Sequence, residues 1–111
     1  MDSYIVEGCP FGTAQNLLGG KWTLIILYFL GTEGVLRFNE LQRKLGGLTH
    51  ATLAKQLQGM EKRGLIIRTV YPQIPPKVEY SLTDMAKKLC PTLESLRLWS
   101  EEYIALYREE N

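Results

Sequence analysis

Apolar residues recur every three or four positions through the N-terminal part of the chain, which is the spacing of an amphipathic helix. The pattern divides into four segments, at residues 10–18, 21–31, 37–47 and 49–64. Glycine closes each of them, as is common at helix C-termini, at Gly19–Gly20, Gly31, Gly46–Gly47 and Gly64. The sequence therefore predicts four helices. The second has apolar residues on several faces, so we expect it to lie at the centre of the core.

The fourth predicted helix combines a narrow apolar stripe with a surface free of acids. Thr49 is a good N-cap, and Leu53, Leu57 and Met60 form the stripe. An ordinary exposed helix would favour Asp or Glu near its positive N-terminal end. The opposite surface of the first two turns instead carries His50, Ala51, Thr52, Lys55 and Gln56. This surface suits an anionic partner, and the short glycine connection before it is typical of a helix-turn-helix.

After Gly64 the pattern changes to β-branched and aromatic runs, which predict two antiparallel strands at residues 65–71 and 77–82. Prolines cannot extend a central ladder, so Pro72, Pro75 and Pro76 must lie in the connection. Residues 72–76 therefore form a stiff hairpin tip, and Leu36–Arg37 a short strand. The predicted fold is mainly α with a small antiparallel β-hairpin, in the order of a winged helix-turn-helix domain, with the tip as the wing.

The C-terminal segment carries apolar side chains on more than one helical face, and one domain can bury only part of them. Thr83 caps a helix that begins at Asp84, and Pro91 either starts a new helix or kinks this one. We expect one domain over residues 1–111. The apolar surface that this domain leaves uncovered predicts that its helices at 8–18 and 84–108 also form a twofold homodimer interface. The alternative is a helix wrapped entirely over its own core. The interface residues that we expect are Phe11, Leu93, Leu96, Trp99, Tyr103 and Tyr107.

Composition excludes several classes of protein. The chain of 111 residues is the length of one domain, and its first ten residues lack the basic and apolar regions of a signal peptide. Its longest apolar run, Leu24 to Leu30, is too short to cross a bilayer. We therefore expect a soluble cytoplasmic protein without a membrane partner. Two cysteines and one histidine match neither a disulfide framework nor a zinc site.

Catalysis is not expected either. The chain has no nucleophile elbow, phosphate-binding loop or metal motif, and its single histidine lies on the surface described above. The sequence therefore predicts a protein that is not an enzyme and uses no cofactor. It identifies no small-molecule effector.

The net charge of +1 hides a basic middle region. Residues 21–77 carry nine bases and three acids, whereas both flanks are acidic. This asymmetry indicates a polyanionic partner for the middle region, although solvated helix faces would give the same count.

Several blocks of the chain resemble the HxlR family of bacterial transcriptional regulators, relatives of the MarR group. The likeness covers about residues 8–105. Its strongest signatures are Cys9-Pro10, Gly20-Lys21-Trp22, Arg37-Phe38-Asn39-Glu40-Leu41 and Val70-Tyr71-Pro72 with Pro75-Pro76 and Glu79-Tyr80. The resemblance implies a dimeric DNA-binding repressor or activator. Gly46-Gly47-Leu48-Thr49 replaces a more usual Pro-Gly-Ile-Ser, which leaves the operator sequence open.

Groove geometry then suggests roles for individual residues, with double-stranded DNA as the partner. The fourth helix fits the major groove, so Thr49, His50, Ala51, Thr52, Lys55 and Gln56 would face bases and nearby phosphates. Lys21, Arg37 and Asn39 are phosphate candidates, and Gln73 and Lys77 are wing candidates. Alternatively, Lys21 extends into water, Asn39 caps its own helix, and Arg68 forms a structural ion pair. A dimer predicts a palindromic operator with half-sites about one DNA turn or a multiple apart.

Cys9 is a candidate for regulation of DNA binding. Cys9 lies just before the first helix, where a thiolate is favoured, and the resemblance implies sensing of oxidants or electrophiles at this position. A buried structural role for Cys9 is the alternative, and Cys90 is interpreted as a packing residue. A winged helix can also bind another protein through the same surface, so a protein-interaction module without specific DNA binding remains the alternative function.

Overall fold

The computed structural model describes residues 4–108, which form six helices and a three-stranded sheet. In chain order these are α1 (Pro10–Leu18), α2 (Thr23–Glu33), β1 (Val35–Arg37), α3 (Phe38–Lys44), α4 (His50–Lys62), β2 (Ile66–Tyr71), β3 (Lys77–Leu82), α5 (Asp84–Lys87) and α6 (Cys90–Tyr107). The predicted fold class is confirmed: the chain is mainly helical, with the element order of a winged helix-turn-helix.

The sheet is antiparallel, in the order β1-β3-β2. The hairpin β2–β3 pairs from Ile66 opposite Leu82 to Tyr71 opposite Lys77, so residues 72–76 form its tip as predicted. The short strand predicted at Leu36–Arg37 is present as β1, and it adds to β3 with Leu36 opposite Tyr80. The predicted hairpin is therefore two strands of a three-stranded sheet, and this pairing fixes the wing to the helical part.

The hydrophobic core lies between α2, α4 and one face of the sheet. The stripe predicted on α4 is confirmed, since Leu53, Leu57 and Met60 are all buried. It packs with α2 and the sheet, whose buried residues include Ile26, Leu27, Leu30, Leu36, Tyr80 and Leu82. Because one side of α4 is held in this core, its other side must face outward.

The end of α2 differs from the prediction. Gly31 does not end the helix, which continues to Glu33 and stops at Gly34, where φ is +90°. A Cβ atom on Gly31 would lie 3.2 Å from the Sγ atom of Cys90. Gly31 therefore permits close approach of α6, and Gly34 supplies the left-handed turn that favours glycine.

The C-terminal region consists of two helices, because α5 ends at Lys87 and α6 begins at Cys90 with Pro91 in its first turn. The radius of gyration is 15.7 Å, compared with about 13 Å for a compact domain of this length. Much of α6 lies away from the body, and only Leu93 on it is buried. No helix between residues 4 and 108 is long and apolar enough to cross a bilayer.

Candidate nucleic-acid interface

The turn before α4 presents the N-terminus of this helix to solvent. Gly46 and Gly47 both have positive φ values, of 75° and 96°. The Gln42 side chain donates to the Leu48 carbonyl oxygen at 2.8 Å, which ties the turn to α3. Thr49 is the N-cap as predicted, and its hydroxyl oxygen accepts from the backbone N–H of Thr52 at 3.2 Å. The first turn of α4 contains no acid, so its positive end is not neutralised.

The outward stripe of α4 differs in part from the prediction. Residues opposite the buried stripe on a helix of 3.6 residues per turn are Ala51, Lys55, Gln58 and Lys62, and all four are exposed. Ala51 and Lys55 were predicted, whereas Gln58 and Lys62 were missed. Gln58 lies three positions after Lys55, and Lys62 four positions after Gln58, so helical spacing along this face is the signal that points to them. Thr52 is also exposed and borders this stripe.

Gln56 lies on the side of α4 that faces α2. Its Nε2 atom donates to the Thr23 hydroxyl oxygen at 3.0 Å, and the residue is half-buried. This geometry differs from the predicted contact with a base edge, because the Gln56 amide is already hydrogen-bonded inside the protein. The prediction considered the spacing along α4 alone and did not include the approach of α2.

His50 lies on the other flank of α4. Its ring packs on Phe38, with the centroids 4.4 Å apart and the ring planes inclined by 36°. His50 is exposed, and it also lines a cleft between α4 and the sheet.

This cleft has a volume of about 420 Å³ and is bordered by α4 and the hairpin. Gln58 and Glu61 line it from α4, and Arg68, Val78 and Tyr80 line it from the sheet. Within residues 4–108, Arg68 makes no ion pair, which differs from the structural pair considered for it. The two elements predicted to meet DNA therefore flank one concave surface.

In the wing, Lys77 has partners within the protein. Its Nζ atom lies 3.5 Å from the Glu79 carboxylate and 4.6 Å from the centre of the Tyr71 ring. The Glu79 carboxylate, as a hydrogen-bond acceptor and as a negative charge, raises the pKa of Tyr71. Gln73 is exposed at the tip, beside the fully exposed Ile74. Of the two predicted wing residues, Gln73 is thus the more accessible.

The three phosphate candidates are all exposed. Lys21 does not begin α2 as predicted, because the helix starts at Thr23; its Nζ atom lies 5.2 Å from the centre of the Trp22 ring. Arg37 is the N-cap residue of α3, and its backbone N–H donates to Glu40 Oε1 at 2.8 Å. Asn39 follows inside α3, so it does not cap the helix as the alternative suggested.

A second candidate interaction surface lies along α6. Trp99, Tyr103 and Tyr107 stack in sequence, with centroid distances of 5.6 and 4.7 Å, and all three are exposed. An apolar groove of about 420 Å³ runs between α2 and α6. Leu96 is 39% exposed and Phe11 86%, but Leu93 is only 7% exposed. Leu93 differs from the other predicted interface residues, because most of its side chain packs into the core of its own chain.

The two cysteines have different surroundings. Cys9 is exposed and is the N-cap of α1, where its Sγ atom accepts from the Gly12 N–H at 3.3 Å. The buried structural role considered for it does not agree with this exposure. Cys90 is half-buried beside α2. Residues 4–108 contain no cluster of three His, Cys, Asp or Glu side chains that could hold a metal ion.

Comparison with known proteins gives consistent matches over most of the chain. The family model described as "HxlR-like helix-turn-helix" matches residues 17–107. The chain is 49% identical over 94 residues to an uncharacterized HTH-type transcriptional regulator of Halalkalibacterium halodurans, covering 85% of this chain and 83% of that protein. It is 44% identical over 97 residues to the uncharacterized HTH-type transcriptional regulator YdeP of Bacillus subtilis, covering 87% and 75%.

Solved structures give a similar result. The oxidized form of the redox regulator HypR superposes with a TM-score of 0.77 at 39% identity, covering 85% of this chain and 96% of that chain. The diamide-treated YodB of B. subtilis superposes with a TM-score of 0.68 at 27% identity, covering 88% and 97%.

Proposed function

The chain belongs to the HxlR-like helix-turn-helix family of transcriptional regulators, and from this membership we propose that it binds a palindromic operator as a homodimer. The observation that carries the proposal is the acid-free outward stripe of α4, which includes Ala51, Lys55 and Gln58. A helix of this kind fits the major groove, where amide, amine and methyl groups distinguish base pairs. The positive N-terminus of α4 would add a favourable interaction with phosphate.

The residues divide by chemistry into base contacts and phosphate contacts. Ala51 can contact a thymine methyl group, and the Gln58 amide can pair with adenine. Thr49 and Thr52 lie at the helix end, where hydroxyls reach either bases or phosphates. Lys21, Arg37, Asn39 and Lys62 are exposed polar or cationic groups suited to phosphates, and Gln73 is the wing contact. Lys77 would contribute mainly by neutralising Glu79, given their separation of 3.5 Å.

The homodimer is supported by the apolar surface of α6. Trp99, Tyr103 and Tyr107 expose more than half of their area, as do Leu106 and Phe11. A contiguous aromatic surface of this kind is unusual on a monomer and typical of an interface. A twofold contact would pair α6 with the same helix of a second copy and bring α1 to the same interface. The two α4 helices would then contact half-sites on one face of the duplex.

Selection of bound fragments from random or genomic duplex DNA tests the proposal. The expected result is a palindromic consensus, and affinity for it that falls steeply between low and physiological salt. Binding that shows no preference for any sequence, or no binding to duplexes in dilute buffer, would contradict operator recognition. The second outcome would favour the protein-interaction module.

Control by Cys9 is a further part of the proposal. Cys9 is exposed at the N-terminus of α1, where the backbone N–H of Gly12 contacts its sulfur, so reagents in solution can reach the thiol. Oxidation or an electrophile adduct there would disturb the α1 cap and the adjacent dimer surface. The test is operator affinity before and after treatment with N-ethylmaleimide, with Cys9→Ser as the resistant control. Unchanged affinity of a fully alkylated protein would reject control at this residue.

A further inference from the structure

Thr23, the first residue of α2, joins three helices through one buried hydroxyl group. It is 1% exposed, and apart from the tyrosine Tyr80 it is the only buried residue with a polar side chain between positions 4 and 108. Its Oγ1 atom donates to the Gly19 carbonyl oxygen at 2.9 Å and accepts from Gln56 Nε2 at 3.0 Å. Arg63 Nη2 approaches the same oxygen at 3.4 Å. The hydroxyl therefore has a partner in the α1–α2 turn and two partners on α4.

Arg63 extends this network to the last turn of α1. It is the C-cap residue of α4, and its Nε atom donates to the Leu17 carbonyl oxygen at 3.0 Å. A Cβ atom on Gly59 would lie 3.3 Å from Arg63 Nη1, so the glycine leaves room for the guanidinium to fold back along the helix. Two side chains of α4, one in its middle and one at its end, are thus hydrogen-bonded to the α1–α2 junction.

The two kinds of contact on α4 have different effects on its orientation. The buried leucines and methionine supply burial, which is proportional to area and has no direction. The buried stripe decides which side of α4 faces inward, and hydrogen bonds, which require particular distances and angles, fix its rotation more finely. None of the residues of α1 is buried. Leu18 of α1 packs against the core only in part, so the polar bonds add fixed contacts between α1 and α4 to a partly exposed apolar contact.

We propose that Thr23 is a positioning residue, which sets the orientation of α4 for base recognition and couples that orientation to α1. This inference rests on the proposed function, because it assumes that α4 reads the operator. It assigns Gln56 to the coupling network instead of to a base contact. A displacement of α1, whose other end carries Cys9, would be transmitted through Leu17 and Gly19 to the helix that meets DNA.

Hydrogen exchange of the DNA-free protein tests the network itself. Thr23→Val keeps the shape of the side chain but removes the hydroxyl, whereas Thr23→Ser keeps the hydroxyl and is the matched control. We expect amides of residues 17–20 and 56–63 to exchange about tenfold faster in Thr23→Val, and Thr23→Ser to behave like the wild type. Arg63→Met, which leaves the Thr23–Gln56 bond intact, should accelerate both segments less. Acceleration of one segment alone, or of neither, would overturn the coupling.

Binding measurements test the effect on recognition. Thr23→Val should lower affinity for the selected operator about tenfold, with little change for a scrambled duplex of equal length. A merely structural role would lower both affinities in proportion to the unfolded fraction, and this result would overturn the proposal. If the wild type itself shows no sequence preference, the proposed function fails, and the exchange experiment still decides whether Thr23 couples the two helices.

Discussion

The imidazole ring of His50 packs on the phenyl ring of Phe38, with the ring centroids 4.4 Å apart. These are the first residues of α4 and α3, so the contact joins the starts of the two helices of the helix-turn-helix. A double-mutant cycle with Phe38→Leu and His50→Ala should give a coupling energy of about 0.5–1.5 kcal/mol in urea unfolding. A matched cycle of His50→Ala with Phe11→Leu should be additive. Additivity in the first cycle would show that the contact does not stabilise the fold.

Lys55 and Gln58 should affect DNA binding in different ways. Lys55→Ala removes a cation from the outward stripe of α4, so affinity should fall for all sequences and the salt slope should decrease by roughly 0.9 per lost phosphate contact. Gln58→Ala should relax specificity at one base pair, at a cost of about 1–3 kcal/mol for the preferred base.

Titrations of operator variants at several salt concentrations measure both effects. Lys87→Ala, on α5 and outside this stripe, is the control and should leave the slope unchanged. If Lys55→Ala and Lys87→Ala lowered DNA affinity equally, overall charge, and not the surface of α4, would determine affinity.

Much of α4 could be predicted because its determinants are local. The Thr49 cap and the spacing of Leu53, Leu57 and Met60 depend only on neighbouring positions, and the structure has both. The orientation of Gln56 and the role of Gly31 depend on which other element arrives, here α2 and α6. The burial of Leu93 depends on tertiary packing in the same way, since an apolar periodicity does not reveal whether a helix is covered by its own chain or by another.

Leu93 and Leu96 therefore offer a matched pair on one helix. Leu93 is 7% exposed and Leu96 39%. Leu93→Ala should lower the free energy of unfolding by about 2–4 kcal/mol, because it leaves a cavity in the core. Leu96→Ala should have a small effect on the isolated chain but should raise the dimer dissociation constant. Chemical unfolding and analytical ultracentrifugation separate the two effects. A dimer that is equally tight in Leu96→Ala and the wild type would exclude Leu96 from the interface.

Tyr71 in the wing should ionise above the ordinary range for tyrosine, because Glu79 raises its pKa. A pKa raised on folding favours the protonated hydroxyl, so this contribution to stability is fully present below the unfolded pKa and is lost as pH rises through the folded pKa. Glu79→Gln should return the Tyr71 pKa toward its ordinary value, as followed by NMR titration of the ring carbons. The matched variant Glu102→Gln on α6 should leave it unchanged. A titration unaffected by Glu79→Gln would show that the carboxylate is not the cause.

The pairing of Val35 with Ser81 encloses the whole helix-turn-helix in one chain loop. During synthesis, β1 is made early and has no partner until β3 follows, after α3 and α4 are complete. Closing that loop costs chain entropy before the sheet repays it. A nascent chain that stops before residue 77 therefore lacks the strand that closes this loop, so α3 and α4 can be fixed against the complete sheet only after β3 has been made.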